Sequence, residues 1–228
     1  MIHIEYFTFN AFQTRCSIVW DDADFCAIVD PGCSTEKDIS TIVDFVSEHN
    51  LKPVCIMLTH GHFDHIYGVS ELSRIFDSLP VYMHKDEKFT MEETNPYVCR
   101  MYGLPLPDVS FTEGPVLKKT VEGNVIEVGS LRFQAIETPG HSRGGLCFYE
   151  ASEQVLFSGD TLFAGAIGRT DQPGGDYDQL MKSIFEKLMT LDGDVKVIPG
   201  HGPCSDITTE NMTNPFLQPF NEPFDDEE

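Results

Sequence analysis

The sequence predicts a mixed α/β chain made of two similar halves, each a run of strands followed by a helix. Three observations carry that expectation. Short apolar runs bounded by Gly or Pro recur at strand length, at residues 14–20, 25–30, 54–58, 131–137, 155–157 and 195–198. Two stretches space their apolar residues as a helix does: Ile39, Ile42, Val43 and Val46, then Leu180, Ile184, Phe185, Leu188 and Met189. Finally, four of the strands end at a glycine beside a His or an Asp.

Taken in order, residues 2–7 alternate as a half-buried strand, and two further strands, 14–20 and 25–30, stop at Pro31-Gly32. Ser34 or Thr35 supplies an N-cap for the first helix. The run 54–58 is a buried strand, and Gly61 lets the chain turn sharply after it. A helix over 68–76 and a strand over 81–84 follow. Residues 86–115 hold Pro96, Pro105, Pro107 and Pro115 among Phe89, Tyr97, Tyr102 and Phe111, and read as a helix and loop excursion bordering the site. Strands resume at 124–128, 131–137, 146–149 and 155–157. A glycine-rich loop over 159–175 leads to the second helix and the last strand, and the polar tail from about 213 reads as extended. With no repeat of fixed period and no Ser/Gly linker, residues 1–228 are expected to form a single domain.

Composition narrows the function. A chain of 228 residues with 41% hydrophobic and 23% charged is long enough for a full core. Its formal net charge of -22 repels phosphate backbones and anionic lipid, so nucleic-acid and membrane partners are not expected. The acidic end 225–228 reads as solvated. Seven Cys without a C-x-x-C pair fit reduced, mostly buried thiols, hence a cytoplasmic protein. Neither a signal peptide nor an apolar membrane span is visible.

The chemistry lies at the strand ends. Residues 54–58 run into Thr59-His60-Gly61-His62-Phe63-Asp64-His65. The other three junctions are Thr138-Pro139-Gly140-His141, Ser158-Gly159-Asp160 and Pro199-Gly200-His201-Gly202. Seven candidate ligands result: His60, His62, Asp64, His65, His141, Asp160 and His201. Seven exceed what one ion needs and suit two, with one carboxylate shared. Imidazole and carboxylate without thiolate suit zinc, iron or manganese, zinc foremost. Thr59, Ser158 and Asp30 are candidates to hold the outer imidazole N–H groups. His3, His49 and His84 stand alone and read as structural, as do Cys33 and Cys204.

H-x-H-x-D-H, with a His after T-P-G, an Asp after S-G and a His after P-G, resembles the metallo-β-lactamase superfamily over residues 15–205. The segment Gly159-Asp160-Thr161-Leu162-Phe163 through Gly168-Arg169-Thr170-Asp171 is similar to its glyoxalase II branch, and Thr213-Asn214-Pro215-Phe216-Leu217 to the short members of that branch. The resemblance implies a four-layer αββα sandwich. It assigns one metal to His60, His62 and His141 and a second to Asp64, His65 and His201, with Asp160 bridging. It also implies hydrolysis of a thioester such as S-D-lactoylglutathione, by a water bridging ions roughly 3.5–4 Å apart. Asp64 and Asp160 would be catalytic, and Arg169 and Tyr177 would contact substrate. Arg169 could equally pair with Asp171 or Asp176. Longer glyoxalase II enzymes add basic residues after this point, whereas the last Lys or Arg here is Lys196. A persulfide dioxygenase with a single iron, or a lactone or other ester hydrolase, is the alternative reading. Oligomeric state is left open.

Overall fold

The structure, a computed structural model, describes residues 1–113 and 116–218. Pro115 and the acidic stretch 225–228 lie outside the described residues. Strands β1 (His3–Phe9), β2 (Thr14–Trp20) and β3 (Phe25–Val29) form an antiparallel meander. Helix α1 (Glu36–Glu48) then crosses over to β4 (Lys52–Met57), which lies parallel to β3. Thr35 caps α1: its hydroxyl accepts from the Asp38 N–H while the Asp38 carboxylate accepts from the Thr35 N–H. The short α2 (Phe63–Ile66) and α3 (Val69–Ile75) precede β5 (Val81–His84).

Residues 86–113 are more helical than their prolines suggest. Helix α4 (Glu87–Phe89), a π turn (Thr90–Thr94) and α5 (Asn95–Tyr102) run on from one another. Pro96 sits in the first turn of α5, where its missing N–H costs little. Strand β6 (Leu117–Thr120) completes a six-stranded sheet in the order β1-β2-β3-β4-β5-β6. Its sequence Leu-Lys-Lys-Thr gave no strand signal because it is an edge, exposed over most of its length.

The second half repeats the plan. Strands β7 (Val125–Val128), β8 (Leu131–Glu137), β9 (Leu146–Glu150) and β10 (Val155–Gly159) are antiparallel neighbours. The glycine-rich loop holds a small hairpin, β11 (Leu162–Phe163) with β12 (Ala166–Ile167). Helix α6 (Tyr177–Ser183), continued by a π turn (Ile184–Leu188), crosses to β13 (Lys196–Pro199), parallel to β10. Strand β14 (Ser205–Asp206) forms the edge of this second six-stranded sheet, and α7 (Ile207–Thr213) follows. Ahead of the tail, 207–213 is helical, capped by Asp206, and 215–217 is a turn that buries Leu217. Only Ile207 and Glu210 of α7 are buried, which left no apolar stripe to read.

Alternation along the strands builds the four layers. Ile18, Ile28 and Ile56 pack under Ile42 and Val46 of α1 and Leu72 of α3. Their neighbours Val19, Ala27, Val29, Cys55 and Met57 point the other way, against Phe133, Phe148, Phe157 and Ile198 of the second sheet. Beyond that sheet, Cys147, Leu156 and Val197 meet Leu180, Ile184 and Leu188. The result is an αββα sandwich whose central strands are apolar on both faces. No helix among the described residues is long and apolar enough to cross a membrane.

Phe133 is fully buried between the sheets, with its ring 6.0 Å from that of Phe157. Phe133→Ala is expected to destabilise the metal-free protein by about 3–5 kcal/mol in urea unfolding, through lost burial and the void left behind.

Candidate metal centre

The two parallel crossovers aim strand carboxyl ends at one place. From β4 the chain continues extended through His60 and His62, and α2 then turns Asp64 and His65 inward. His141 follows β8, Asp160 follows β10 and His201 follows β13. All seven sequence-predicted ligands meet there, and six of them are more than nine-tenths buried or nearly so. His62 Nδ1 lies 2.8 Å from His141 Nε2, and His65 Nε2 lies 3.2 Å from His201 Nε2. Tetrahedral ligation with bonds of about 2.0–2.1 Å puts donor nitrogens roughly 3.3 Å apart, so both pairs have the spacing of shared ligation. Asp160 Oδ2 is 3.6 Å from His141 Nε2 and 3.4 Å from His201 Nε2, and so faces both pairs. Asp64 Oδ2 is 3.5 Å from the Nε2 atoms of both His65 and His201. A Cβ on Gly200 would collide with Asp160 Oδ1, so only glycine lets β13 pass this close.

Four imidazoles are oriented through their other nitrogen. His141 Nδ1 donates to the Arg169 carbonyl at 2.7 Å and His201 Nδ1 to the Phe12 carbonyl at 3.0 Å. His65 Nδ1 donates to Asp30 Oδ2 at 3.1 Å, and His60 Nδ1 to Thr59 Oγ1 at 3.0 Å. Thr59 in turn gives its hydroxyl to Asp30 Oδ2 at 2.6 Å. Carbonyls and carboxylates only accept, and Thr59 has given its hydroxyl proton to Asp30, so these contacts put a proton on Nδ1 and leave Nε2 as the atom that faces the centre. Asp30, His60 and His65 also form a close trio, but Asp30 sits on the Nδ1 side of His65 and is already used as an acceptor. Thr59 and Asp30 therefore hold ligands, whereas Ser158 donates to the Leu162 carbonyl and touches none.

Several supporting residues gave no sequence signal. Thr14 donates to Asp64 Oδ2 at 2.7 Å, and Asn10 Nδ2 to the Asp64 carbonyl at 3.0 Å. Asn95 Nδ2 donates to the Gly61 carbonyl while its Oδ1 accepts from Phe63 N–H. Glu87 is fully buried against the same loop. All lie far from the ligands in sequence, and only the fold brings them in.

A cavity of about 420 Å³ opens over Asp64, Asp160, His141 and His201. Its apolar wall comes from Phe12, Phe63, Val98, Tyr102, Phe163 and Ile167. Arg169 lies on the rim and makes the ion pair that was the alternative to substrate contact. Its guanidinium grips Asp171 through two 2.8 Å hydrogen bonds, yet the residue lines the cavity. Tyr177 is not brought to this wall: it heads α6 and is largely solvent-exposed, and Tyr102 of α5 takes the lining position.

The electrostatics suit cations. Burial, reinforced by His141, drives His62 down to about 3, and burial likewise holds His60 well below its ordinary value. Both are neutral donors at physiological pH. Burial opposes charge on His65 and His201 too, but Asp64 and Asp160 override it. They raise His65 to about 9, and hydrogen bonds to the same carboxylates raise His201 to about 11. His60 Nε2 and Asp160 Oδ1 are buried without a hydrogen-bond partner among the described residues, as expected of atoms reserved for a metal. Two trios, His60–His62–His141 and Asp64–His65–His201, have the spacing to hold an ion each. A raised imidazole pKa means that a proton must leave before the nitrogen can ligate. Loading metal at pH 8 is therefore expected to release at least one proton per chain, and affinity falls as pH drops below about 11 and more steeply below about 9. Calorimetry in buffers of different ionisation enthalpy measures this; uptake without proton release would contradict it.

Comparison with known proteins agrees with this geometry. The metallo-beta-lactamase superfamily profile matches residues 9–201. Hydroxyacylglutathione hydrolase GloC of Haemophilus influenzae is 36% identical over 221 residues, covering 95% of this chain and 98% of that protein. The crystal structure of the BLEG-1 B3 metallo-beta-lactamase superposes with a TM-score of 0.85 at 34% identity, over 95% of this chain and all of that one. TTHA1623, solved in a di-iron-bound form, gives 0.79 at 34% identity, over 93% of this chain and all of that one. Two sheets whose crossovers converge on a H-x-H-x-D-H loop, and a profile that spans most of the sequence, place the chain in the metallo-beta-lactamase superfamily.

Proposed function

We propose that the chain is a hydrolase with two divalent ions that cleaves a thioester such as S-D-lactoylglutathione to a hydroxy acid and a free thiol. The observation that carries the reading is the Asp160 carboxylate, whose Oδ2 lies within 3.6 Å of both histidine pairs. One carboxylate between two ligand trios is what a dinuclear site needs. The likeness to GloC, a hydroxyacylglutathione hydrolase by name, supports the substrate class. Histidine and carboxylate donors favour zinc and accommodate iron or manganese. Seven free cysteines suit a reducing, cytoplasmic setting.

Bound metals would supply Lewis acidity toward the carbonyl and acidify a water, so no side-chain nucleophile is required. The rest falls to the chain. His60, His62 and His141 would hold one ion and Asp64, His65 and His201 the other, with every imidazole but His62 pre-set by its Nδ1 hydrogen bond. Asp64 Oδ2, hydrogen-bonded by Thr14 and opening on the cavity, is placed to take the proton released in the attack. Phe12, Phe63 and Tyr102 exclude water from the acyl side, with rings edge-on to one another. Arg169 spends two of its five N–H donors on Asp171, which leaves donors for a substrate carboxylate at the rim.

A panel of thioesters, lactones and β-lactams on metal-quantified protein tests the reading. Thioester turnover with two metals per chain is the expected result. One iron per chain with oxygen consumption on a persulfide would replace it with an oxygenase. Asp160→Asn is expected to lower kcat by more than about 100-fold and to loosen at least one ion, since even outer partners of metal ligands are worth about 10–100-fold. Near-normal turnover in that variant rules out the shared carboxylate.

A further inference from the structure

Glu87, at the start of α4, has no solvent exposure. Its carboxylate accepts three short hydrogen bonds from two different loops. Oε2 takes the Gly61 N–H at 2.6 Å, while Oε1 takes the Ser142 hydroxyl at 2.6 Å and the Gly144 N–H at 2.7 Å. Gly61 lies between His60 and His62, and Ser142 follows His141. One carboxylate thus spans the two loops that carry all three members of the His60–His62–His141 trio.

The contact also bears on the sequence. A Cβ on residue 61 would stand 3.0 Å from Glu87 Oε2 and 3.3 Å from its Cβ, tighter than ordinary contact, so the close approach favours glycine here. Gly61 does not adopt a left-handed φ, so the sharp-turn reading of this glycine gives way to a packing one. All three partners are donors, and a carboxylate accepts at both oxygens. An amide would turn an NH₂ toward at least one of those donors and lose that bond. Asn95, eight residues on, grips the far side of the same loop at Gly61 and Phe63.

We propose that Glu87 is a positioning residue that sets the distance between the His60–His62 loop and the His141 loop, and thereby the affinity of the metal trio they form. The proposal rests on the metal-centre reading. It concerns a residue that touches neither metal nor substrate, so it acts through the backbone of its two loops.

The test is zinc binding by metal-free protein in competition with a chromophoric chelator, read beside the unfolding midpoint. Glu87→Gln is expected to weaken one of two zinc ions by about 10–100-fold and to leave the other near its wild-type affinity. Ser142→Ala, which removes one of the three donors, is expected to weaken the same ion by a smaller factor. Glu150→Gln is the comparison. That carboxylate is also buried and accepts from Ser152 and Glu153, but lies at the end of the second sheet remote from the ligands. It should lower the unfolding midpoint and keep zinc affinity. Wild-type zinc affinity in Glu87→Gln overturns the proposal, as does a loss that Glu150→Gln matches at equal destabilisation. If Glu87→Gln does not fold, Ser142→Ala decides: an unchanged zinc affinity there sinks the brace. Wild-type protein that takes up no zinc, iron or manganese would instead remove the metal centre itself.

Discussion

Gathering five imidazoles and two carboxylates within a few ångströms of one another is unfavourable unless every donor and acceptor is answered. That constraint organises this molecule. The outward-facing nitrogens are met by Asp30, Thr59 and two backbone carbonyls, each from a different element. The inward-facing atoms have no such partners, and among them His60 Nε2 and Asp160 Oδ1 are left bare. The fold tolerates them only because a cation can answer several at once. Without one, the protein substitutes protons, which is why His65 and His201 hold theirs to about 9 and about 11.

The architecture delivers these groups through a simple device used twice. An antiparallel run, of three strands in the first half and four in the second, leads into a helix, which returns the next strand parallel to the last of the run. Parallel neighbours end on the same side, so each crossover stacks two loops at one edge of its sheet. Facing the two sheets brings four such loops together. The helical stretch from Glu87 to Tyr102 then serves two purposes. Its first residue ties the metal loops to each other, and its last turn supplies the apolar wall over them through Val98 and Tyr102.

Much of this was legible in the sequence, for identifiable reasons. Strands 14–20 and 81–84 stand where their β-branched and apolar runs put them, because both faces of these strands are buried. The seven candidate ligands could be named because they cluster after four strands whose ends carry a glycine. What was hidden had no local signature. Edge strand β6 and helix α7 are polar, so periodicity could not reveal them. Glu87, Asn95, Thr14 and Asn10 act on residues 26 to 57 positions away. Tyr177 looked suited to the pocket by proximity to the glycine-rich loop, but the first turn of α6 leaves it in solvent.

Each of the two ligand trios draws on both sheets: His60 and His62 with His141, Asp64 and His65 with His201. A metal in either position is therefore a cross-link between distant parts of the chain, as a disulfide is, though one that chelation can undo. Closing a loop of 79 or 136 residues in this way removes conformational freedom from the unfolded chain that is worth about 4–5 kcal/mol in the disulfide case. The sheets of the empty protein are held by their shared apolar face and by hydrogen bonds such as those of Glu87, and are correspondingly freer to part. Metal supply thus bears on how long the protein survives proteases as well as on how fast it turns over.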